Sequence, residues 1–543
     1  MHTKNDQLRV RALDAVRSGR LEEALKHYSK IWTKSPLDEE AMLNIGLIYE
    51  SLGEKAKYIS HSLECFKRQP NNPKLIVRLA ASEYSQGNFK QAYDRILGSV
   101  NEADIDFDAV MVLCASAAAM GMEQESLKYA LDAVRKRPTS ALAHSNLGGG
   151  FLSMGKFTEA KMCFETALIL EPENAHAYTN LGVIESQLGR REQAAQYAEK
   201  ALALFNKTNN HNEINRAKFH LALNYLCLGF IEKAWEYYPS GLMFKGTSSR
   251  EPQRMFSCPE WTNEDIADKT LMVWREQGLG DEIHFYSAIN YALLKCRKLI
   301  IECDIRLVPI LKRSYPTAEV RPNIFISDDP HFRSPLNDYD YHIPVGQLYA
   351  KCYAVKEKFK EVEVGYLRPD EERVAFYNRR LGPRNGSIRV GVSWRSGLLS
   401  PTRIRHYTSL TDWGAVFNLP EIQFVNLQYG DTKAEVKSAE SQFKISLNSW
   451  SDLDRKDQLD DLAALMKNLD VVISTPNAVA QMAGALGIKT LWLNLHADPF
   501  QLGEKTRYPN YPNVEVFTPS DGDDLISLLS NQIPKRILDI KNY

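Results

Sequence analysis

The 543-residue chain contains no apolar run long enough to cross a bilayer, so no membrane-spanning helix is expected. Its opening residues, Met1 to Gln7, lack the apolar stretch of a signal peptide, which gives the expectation of a cytoplasmic protein. Cysteine is sparse: there are eight, none forms a C-x-x-C pair, and none lies beyond Cys352. That spacing speaks against a disulfide framework or a zinc knuckle and leaves small core residues. The twelve histidines include no H-x-x-x-H or H-x-H pair, so no zinc hydrolase is indicated. An excess of either charge is also missing. Lys plus Arg number 67 against 68 Asp plus Glu, with 31 against 29 in residues 1–250, which excludes a generally nucleic-acid-binding or anionic-membrane-binding surface. Nor is there a G-x-G-x-x-G, a G-x-S-x-G or a P-loop signature, so dinucleotide dehydrogenases, α/β-hydrolases and P-loop NTPases are set aside.

What is present is periodic. Glycines recur at 19, 53, 87, 121, 155 and 189, always 34 residues apart. This is the length of the tetratricopeptide helix–turn–helix unit, and the other signature positions fall into register with it. In the fifth unit Leu147, Gly148 and Phe151 mark the first helix, Gly155 the turn, Ala160, Phe164 and Ala167 the second helix, and Pro172 its end. A seventh, offset unit follows an insert near Asn209-Asn210 and carries Tyr225, Gly229, Ala234 and Tyr238. About seven stacked helix pairs over residues 1–250 form a solenoid whose concave face suits a protein partner. Asn44, Asn146 and Asn180 share the sixth position of their repeats and would line that face. An amide that donates and accepts can pair with the backbone of an extended acceptor, although asparagine at this place also serves local hydrogen bonding.

From about Lys269 the helical period gives way to β-rich runs alternating with helices, the pattern of parallel α/β sheets. The strands expected are Thr270–Trp274, Lys298–Cys303, Thr317–Arg321 and Tyr341–Val345 in residues 260–382. After a Gly382-Pro383-Arg384-Asn385-Gly386 hinge come Ile388–Trp394, Gln423–Leu427, Val471–Ser474 and Thr490–Leu493 in residues 383–543. The first strand runs into Arg275-Glu276-Gln277-Gly278-Leu279-Gly280-Asp281-Glu282 and a helix expected near Ile283, a turn whose amides can face an anion. The second unit offers Arg395, Arg403 and Arg405 as guanidinium forks. It also offers Ser474, Thr475, Pro476, Asn477 and Gln481 at the start of a small-residue helix, whose amides after Pro476 suggest a further anion site. Two D-x-D triplets, Asp104-Ile105-Asp106 and Asp338-Tyr339-Asp340, do not sit convincingly for a metal, and none is expected.

The succession Glu276-Gln277-Gly278-Leu279-Gly280-Asp281, Val390-Gly391-Val392-Ser393-Trp394-Arg395 and Asp470-Val471-Val472-Ile473-Ser474, with Ala483-Gly484-Ala485-Leu486-Gly487 behind it, resembles the GT-B glycosyltransferases related to heptosyltransferases. With the repeats in front, the chain is similar to bacterial tetratricopeptide-coupled glycosyltransferases of the flagellin-modifying (FlmG-like) type. The resemblance covers roughly 260–520 and implies an α plus α/β fold, a repeat solenoid followed by a GT-B pair of Rossmann-like domains. It implies an inverting, metal-independent transfer without a cofactor, moving a sugar such as a nonulosonic acid from a nucleotide sugar to Ser or Thr of a protein such as flagellin. Carried over, Asp281 is the candidate general base, with Glu276 and His284 as alternates, and Gly278, Gly280, Arg395, Arg403, Arg405, Ser474, Thr475, Asn477 and Gln481 bind substrate. Many relatives carry Asp and His in the loop where this chain has Pro476-Asn477 and Gln481, which points to a different donor or to lost activity. A lipopolysaccharide or capsule transferase and a non-catalytic scaffold or chaperone are the alternative readings.

Overall fold

The computed structural model describes residues 4–99, 105–244, 250, 254–323, 338–354, 364–397, 399–520 and 523–542. Contacts divide the chain into two compact units, Met1–Asn180 and Leu181–Tyr543. It has an α plus α/β fold: antiparallel helix pairs first, then parallel sheets with helices.

Fourteen helices precede the first strand among the described residues, from Lys4–Arg17 to Ile231–Tyr237. Their punctuation repeats with the 34-residue period at two places. Asp38, Asn72, Asp106, Ser140 and Asn174 stand just before alternate helices, and each side chain accepts an N–H of the first turn that would otherwise have no partner. Gly19, Gly53, Gly87, Gly121, Gly155 and Gly189 all have φ between +70° and +85°, a conformation that a side chain disfavours, so the turn between paired helices fixes glycine there. Inside the first unit, Gly148 lies under the ring of Phe164, where an added Cβ would stand 2.9 Å from the ring. That absence of a side chain sets the distance between the two helices of the fifth pair.

In the second unit the helices Arg191–Thr208, His211–Leu228 and Ile231–Tyr237 share a core with Leu502 of the α/β region. Gly503, at φ +82°, approaches Gly229 so closely that a Cβ on it would be 2.6 Å from the Gly229 Cα.

The first sheet consists of β1 (Thr270–Trp274), β2 (Lys298–Cys303), β3 (Glu319–Pro322) and β4 (Tyr341–Pro344), all parallel, in the order β3-β2-β1-β4. The second contains β5 (Ile388–Ser393), β6 (Ile422–Asn426), β7 (Leu447–Asn448), β8 (Val471–Ser474), β9 (Thr490–Leu493), β10 (Arg507–Tyr508) and β11 (Tyr511–Phe517), in the order β10-β11-β9-β8-β5-β6-β7. Only the β10–β11 pairing is antiparallel. Strands β1, β8 and β9 are buried throughout, as expected of strands covered on both faces. The sequence reading of β3 began two residues early, and β7, β10 and β11 were not anticipated. β7 and β10 have two residues each, and β11 exposes alternate positions, so none carries a continuous apolar run. Each sheet reverses its winding direction once, between β1 and β4 and between β5 and β8, and such switch points open crevices at the carboxyl ends of strands.

Candidate functional site

The helix after β1 begins at Leu279, four residues earlier than the sequence suggested, because Gln277 at φ +59° turns the chain sharply and Gly278 takes the position before the helix. Asp281 therefore sits in its first turn, where its Oδ2 accepts the Gly278 N–H at 3.2 Å. It also forms part of the wall of a cavity of about 400 Å³ in the second unit. Across that wall are Pro476, Asn477 and Gln481 beyond β8, Ser396, Arg403 and Tyr407 beyond β5, and Asp498 beyond β9. Apolar walls come from Leu459, Leu462, Met482 and Trp492. Of the residues proposed from sequence, Gly278, Gly280, Asp281, Arg403, Asn477 and Gln481 line it together.

The carboxyl of Asp281 is pushed up to about 6, first by burial and then by the negative charge of Asp498, with the Gly278 N–H working in the opposite direction. Burial likewise raises Asp498, whose Oδ1 accepts the Phe500 N–H at 2.9 Å. One cavity thus holds two carboxyls that resist ionisation, the condition under which one of them can accept a proton near neutral pH.

The other sequence candidates lie elsewhere. Glu276 is off the cavity wall: its buried carboxylate receives Arg250 Nε at 2.6 Å, a second bond from Arg250 Nη2, and the Gly346 N–H at 2.7 Å. It closes the β1–β4 crevice as a structural ion pair and has no exposure from which to act as a base. His284 is fully buried behind Gln481, among Tyr349, Phe500 and Tyr511, and burial lowers it to about 3. Arg395 forks onto Glu435, with Nε at 3.0 Å and Nη2 at 2.7 Å, and reaches the Asp431 carbonyl at 3.1 Å, so its donors point away from the cavity. Arg405 stands beside His406 and His496. Ser474 and Thr475 are buried, and the Ser474 hydroxyl donates to the Thr475 carbonyl at 2.8 Å.

Asn477 has a local task as well. Its Oδ1 accepts Val479 N at 2.9 Å and Ala480 N at 3.2 Å, and its Nδ2 donates to Ser393 Oγ at 2.9 Å. The amides expected to receive an anion after Pro476 are therefore already capped at those two positions, and Asn477 joins the ends of β5 and β8. Among the acidic triplets, Asp338 pairs with Arg321 at 2.8 Å, Asp340 accepts Thr270 N at 2.7 Å and Asp106 caps a helix, while Asp104 lies outside the described residues. In the first unit, Asn44, Asn146 and Asn180 do occupy the same sixth helical position. Asn44 and Asn180 donate to carbonyls of their own helices, Glu40 at 2.8 Å and His176 at 3.0 Å.

Several cavity residues escaped the sequence reading: Arg306, Tyr429, Arg455, Lys456, Trp492 and Asp498. Most follow the carboxyl end of a parallel strand, which was the available signal. Tyr429 fixes the loop after β5 by bonding Ser396 Oγ at 3.2 Å and accepting the Gly397 N–H at 3.1 Å. Arg455 donates to the Asn426 carbonyl at 2.8 Å and Ser449 Oγ at 2.7 Å. Tyr429, Arg455 and Lys456 also border a second cavity of about 630 Å³ lined by Thr432, Lys433, Lys437, Ser449 and Trp450.

Tetratricopeptide repeat family models match residues 139–207 and 9–57, so the chain carries these repeats. Protein FlbA of Caulobacter vibrioides is 29% identical over 407 residues, 73% of this chain and 67% of that one. A match of that length necessarily extends beyond the repeats. The peroxisomal targeting signal receptor of Kluyveromyces lactis is 24% identical over 41% of this chain and 39% of its own length. Among solved structures, the APC/C hetero-tetramer Cut9-Hcn1 aligns over 44% of this chain and 45% of that chain, at 19% identity and a TM-score of 0.37.

Proposed function

We propose that this chain is a GT-B protein glycosyltransferase that moves a sugar from a nucleotide sugar to a Ser or Thr hydroxyl of a protein held by the repeats, with flagellin as the first acceptor to test. The observation that carries the reading is Asp281: a carboxyl raised to about 6, on a turn after a parallel strand, lining a cavity that the polar loops after β5 and β8 also reach. In this reading the hydroxyl oxygen attacks the anomeric carbon as Asp281 takes its proton, and the sugar–phosphate bond breaks with its electrons on the departing nucleotide. Arg403 and the neutral donor of Gln481 face that departing charge in the same cavity. The adjoining 630 Å³ cavity gives room for the rest of the donor. The repeats raise the acceptor's local concentration at the reacting centre, as any tethered second site does.

The test is intact-mass spectrometry of flagellin incubated with purified protein and candidate nucleotide sugars. A discrete added sugar mass, lost with Asp281→Asn, supports the reading. Unmodified flagellin removes that acceptor, and sugar appearing in glycolipid would point to lipopolysaccharide or capsule synthesis. A scaffold role is the second reading, favoured by the tetratricopeptide repeat models that match residues 9–57 and 139–207. It predicts partner binding without turnover of any donor.

A further inference from the structure

Four basic side chains from three separate segments converge beside the cavity. Arg191 opens the helix Arg191–Thr208, Arg405 and His406 belong to the short 3-10 turn Ile404–His406, and His496 follows β9. We propose that Arg191, Arg405, His406 and His496 hold an oxyanion, a phosphate or a carboxylate, at the rim of the 400 Å³ cavity. Each component is fixed in place. Arg191 Nη2 donates to the Ala497 carbonyl at 2.7 Å and Nη1 to Ser186 Oγ at 2.5 Å, which sets the guanidinium against the His496-Ala497-Asp498 loop. The His496 ring lies against the repeat turn: a Cβ on Gly189 would be 2.6 Å from its Nδ1, and the ring bonds the Gln187 backbone. The rings of His406 and His496 stand perpendicular with centroids 6.0 Å apart.

Two observations single out this cluster from an ordinary basic surface. His496 Nε2 and Arg191 Nε are buried atoms with no hydrogen-bond partner among the described residues, an arrangement that costs free energy until a ligand supplies one. Moreover, the charges acting on His406 come from Arg405, Arg191 and Arg403, and those on His496 from Arg405, His406 and Arg191. All are positive. Burial and these neighbours lower both histidines to about 4, so the rings stay neutral until a negative group arrives between them. Asp498, two residues after His496 and close enough to Arg191 for their charges to interact, accepts Phe500 N and lines the cavity, so the cluster and the cavity share the loop after β9.

This rests on the reading of the cavity as a substrate site, and it gives the molecule bound there a second negative group. It also makes a repeat helix, through Arg191, a contributor to ligand contact. The test is calorimetric titration of the full chain with inorganic pyrophosphate and, separately, with glucuronate. Binding of pyrophosphate alone assigns the site to a phosphate, and of glucuronate alone to a carboxylate. We expect Arg191→Gln and His496→Gln to weaken the bound probe at least about fivefold at unchanged melting temperature, and Lys57→Ala, a surface cation of the first unit, to change it less than twofold. If His496→Gln unfolds, His406→Gln, whose ring is not packed against Gly189, takes its place. Binding of neither probe, or equal binding by every variant, overturns the proposal. Retained anion binding without sugar transfer would sink the proposed activity and leave this site standing.

Discussion

Asp498 faces the same cavity as Asp281 from the end of a different sheet, and its charge helps to hold the Asp281 carboxyl at about 6. The pair has opposite consequences for activity and for stability. As a base, Asp281 must be ionised, so transfer should rise with pH through about 6 and level off above it. Asp281→Asn should lower the rate roughly 100-fold to 10,000-fold and remove that limb of the pH profile. Stability runs the other way. A carboxyl whose folded pKa exceeds the unfolded value of about 3.9 favours the protonated native state, a contribution lost as pH rises through about 6. Asp281→Asn should therefore melt higher than the parent at pH 7.5 and gain little at pH 4. A parent-like melting curve at pH 7.5 would show that the carboxyl is not strained there.

The Glu276–Arg250 pair makes a prediction of another kind. Both side chains are fully buried, so Glu276→Gln leaves Arg250 charged and uncompensated while an amide oxygen can still accept the Gly346 N–H. Breaking such a pair costs about 3–5 kcal/mol. Denaturant unfolding should report that loss, whereas transfer per folded molecule at low temperature should be kept, because Glu276 does not reach the cavity wall. A rate collapse in well-folded protein would return Glu276 to candidacy as the base.

The glycine period made the repeats legible because one backbone conformation, positive φ in each turn, has essentially one residue that adopts it without strain. Strands β1, β8 and β9 were legible for an equally local reason: each is an apolar run closed by a polar turn. What the order of residues left open is pairing at a distance. Nothing near Arg250 announces Glu276, and nothing near Arg395 announces Glu435, 40 positions away. Arg395 and Arg403 therefore read alike, although one is committed to an ion pair and the other lines the cavity. Asp498 was missed for the same reason, since its importance comes from a neighbour on another sheet.

Two turn glycines separate backbone strain from crowding. Gly121 and Gly189 have φ of +71° and +79°, but a Cβ on Gly121 meets nothing within 4 Å, whereas on Gly189 it would stand 2.6 Å from His496 Nδ1. Gly121→Ala should cost about 1–2 kcal/mol, the left-handed penalty alone. Gly189→Ala adds a clash that only movement of the His496 ring relieves. It should destabilise more and, by shifting that ring, weaken anion binding, which Gly121→Ala leaves intact. Equal costs for the two would mean that the contact with His496 yields without resistance.

The two arginines of the β5 loop region provide the sharpest division between structure and ligand. Arg395 has three bonds to Glu435 and one to the Asp431 carbonyl, so Arg395→Ala should loosen the loop and lower the melting temperature. The Arg403 side chain is exposed and lines the cavity, so Arg403→Ala should leave melting within about 0.5 kcal/mol of the parent. Its effect should appear on the donor instead: a weaker nucleotide-sugar affinity, of roughly tenfold for one charge-assisted contact of about 1.5 kcal/mol. Calorimetry with the nucleotide alone distinguishes the roles. A nucleotide affinity that falls with Arg395→Ala and not with Arg403→Ala would reverse the assignment and place the phosphate against the Glu435 side of the loop.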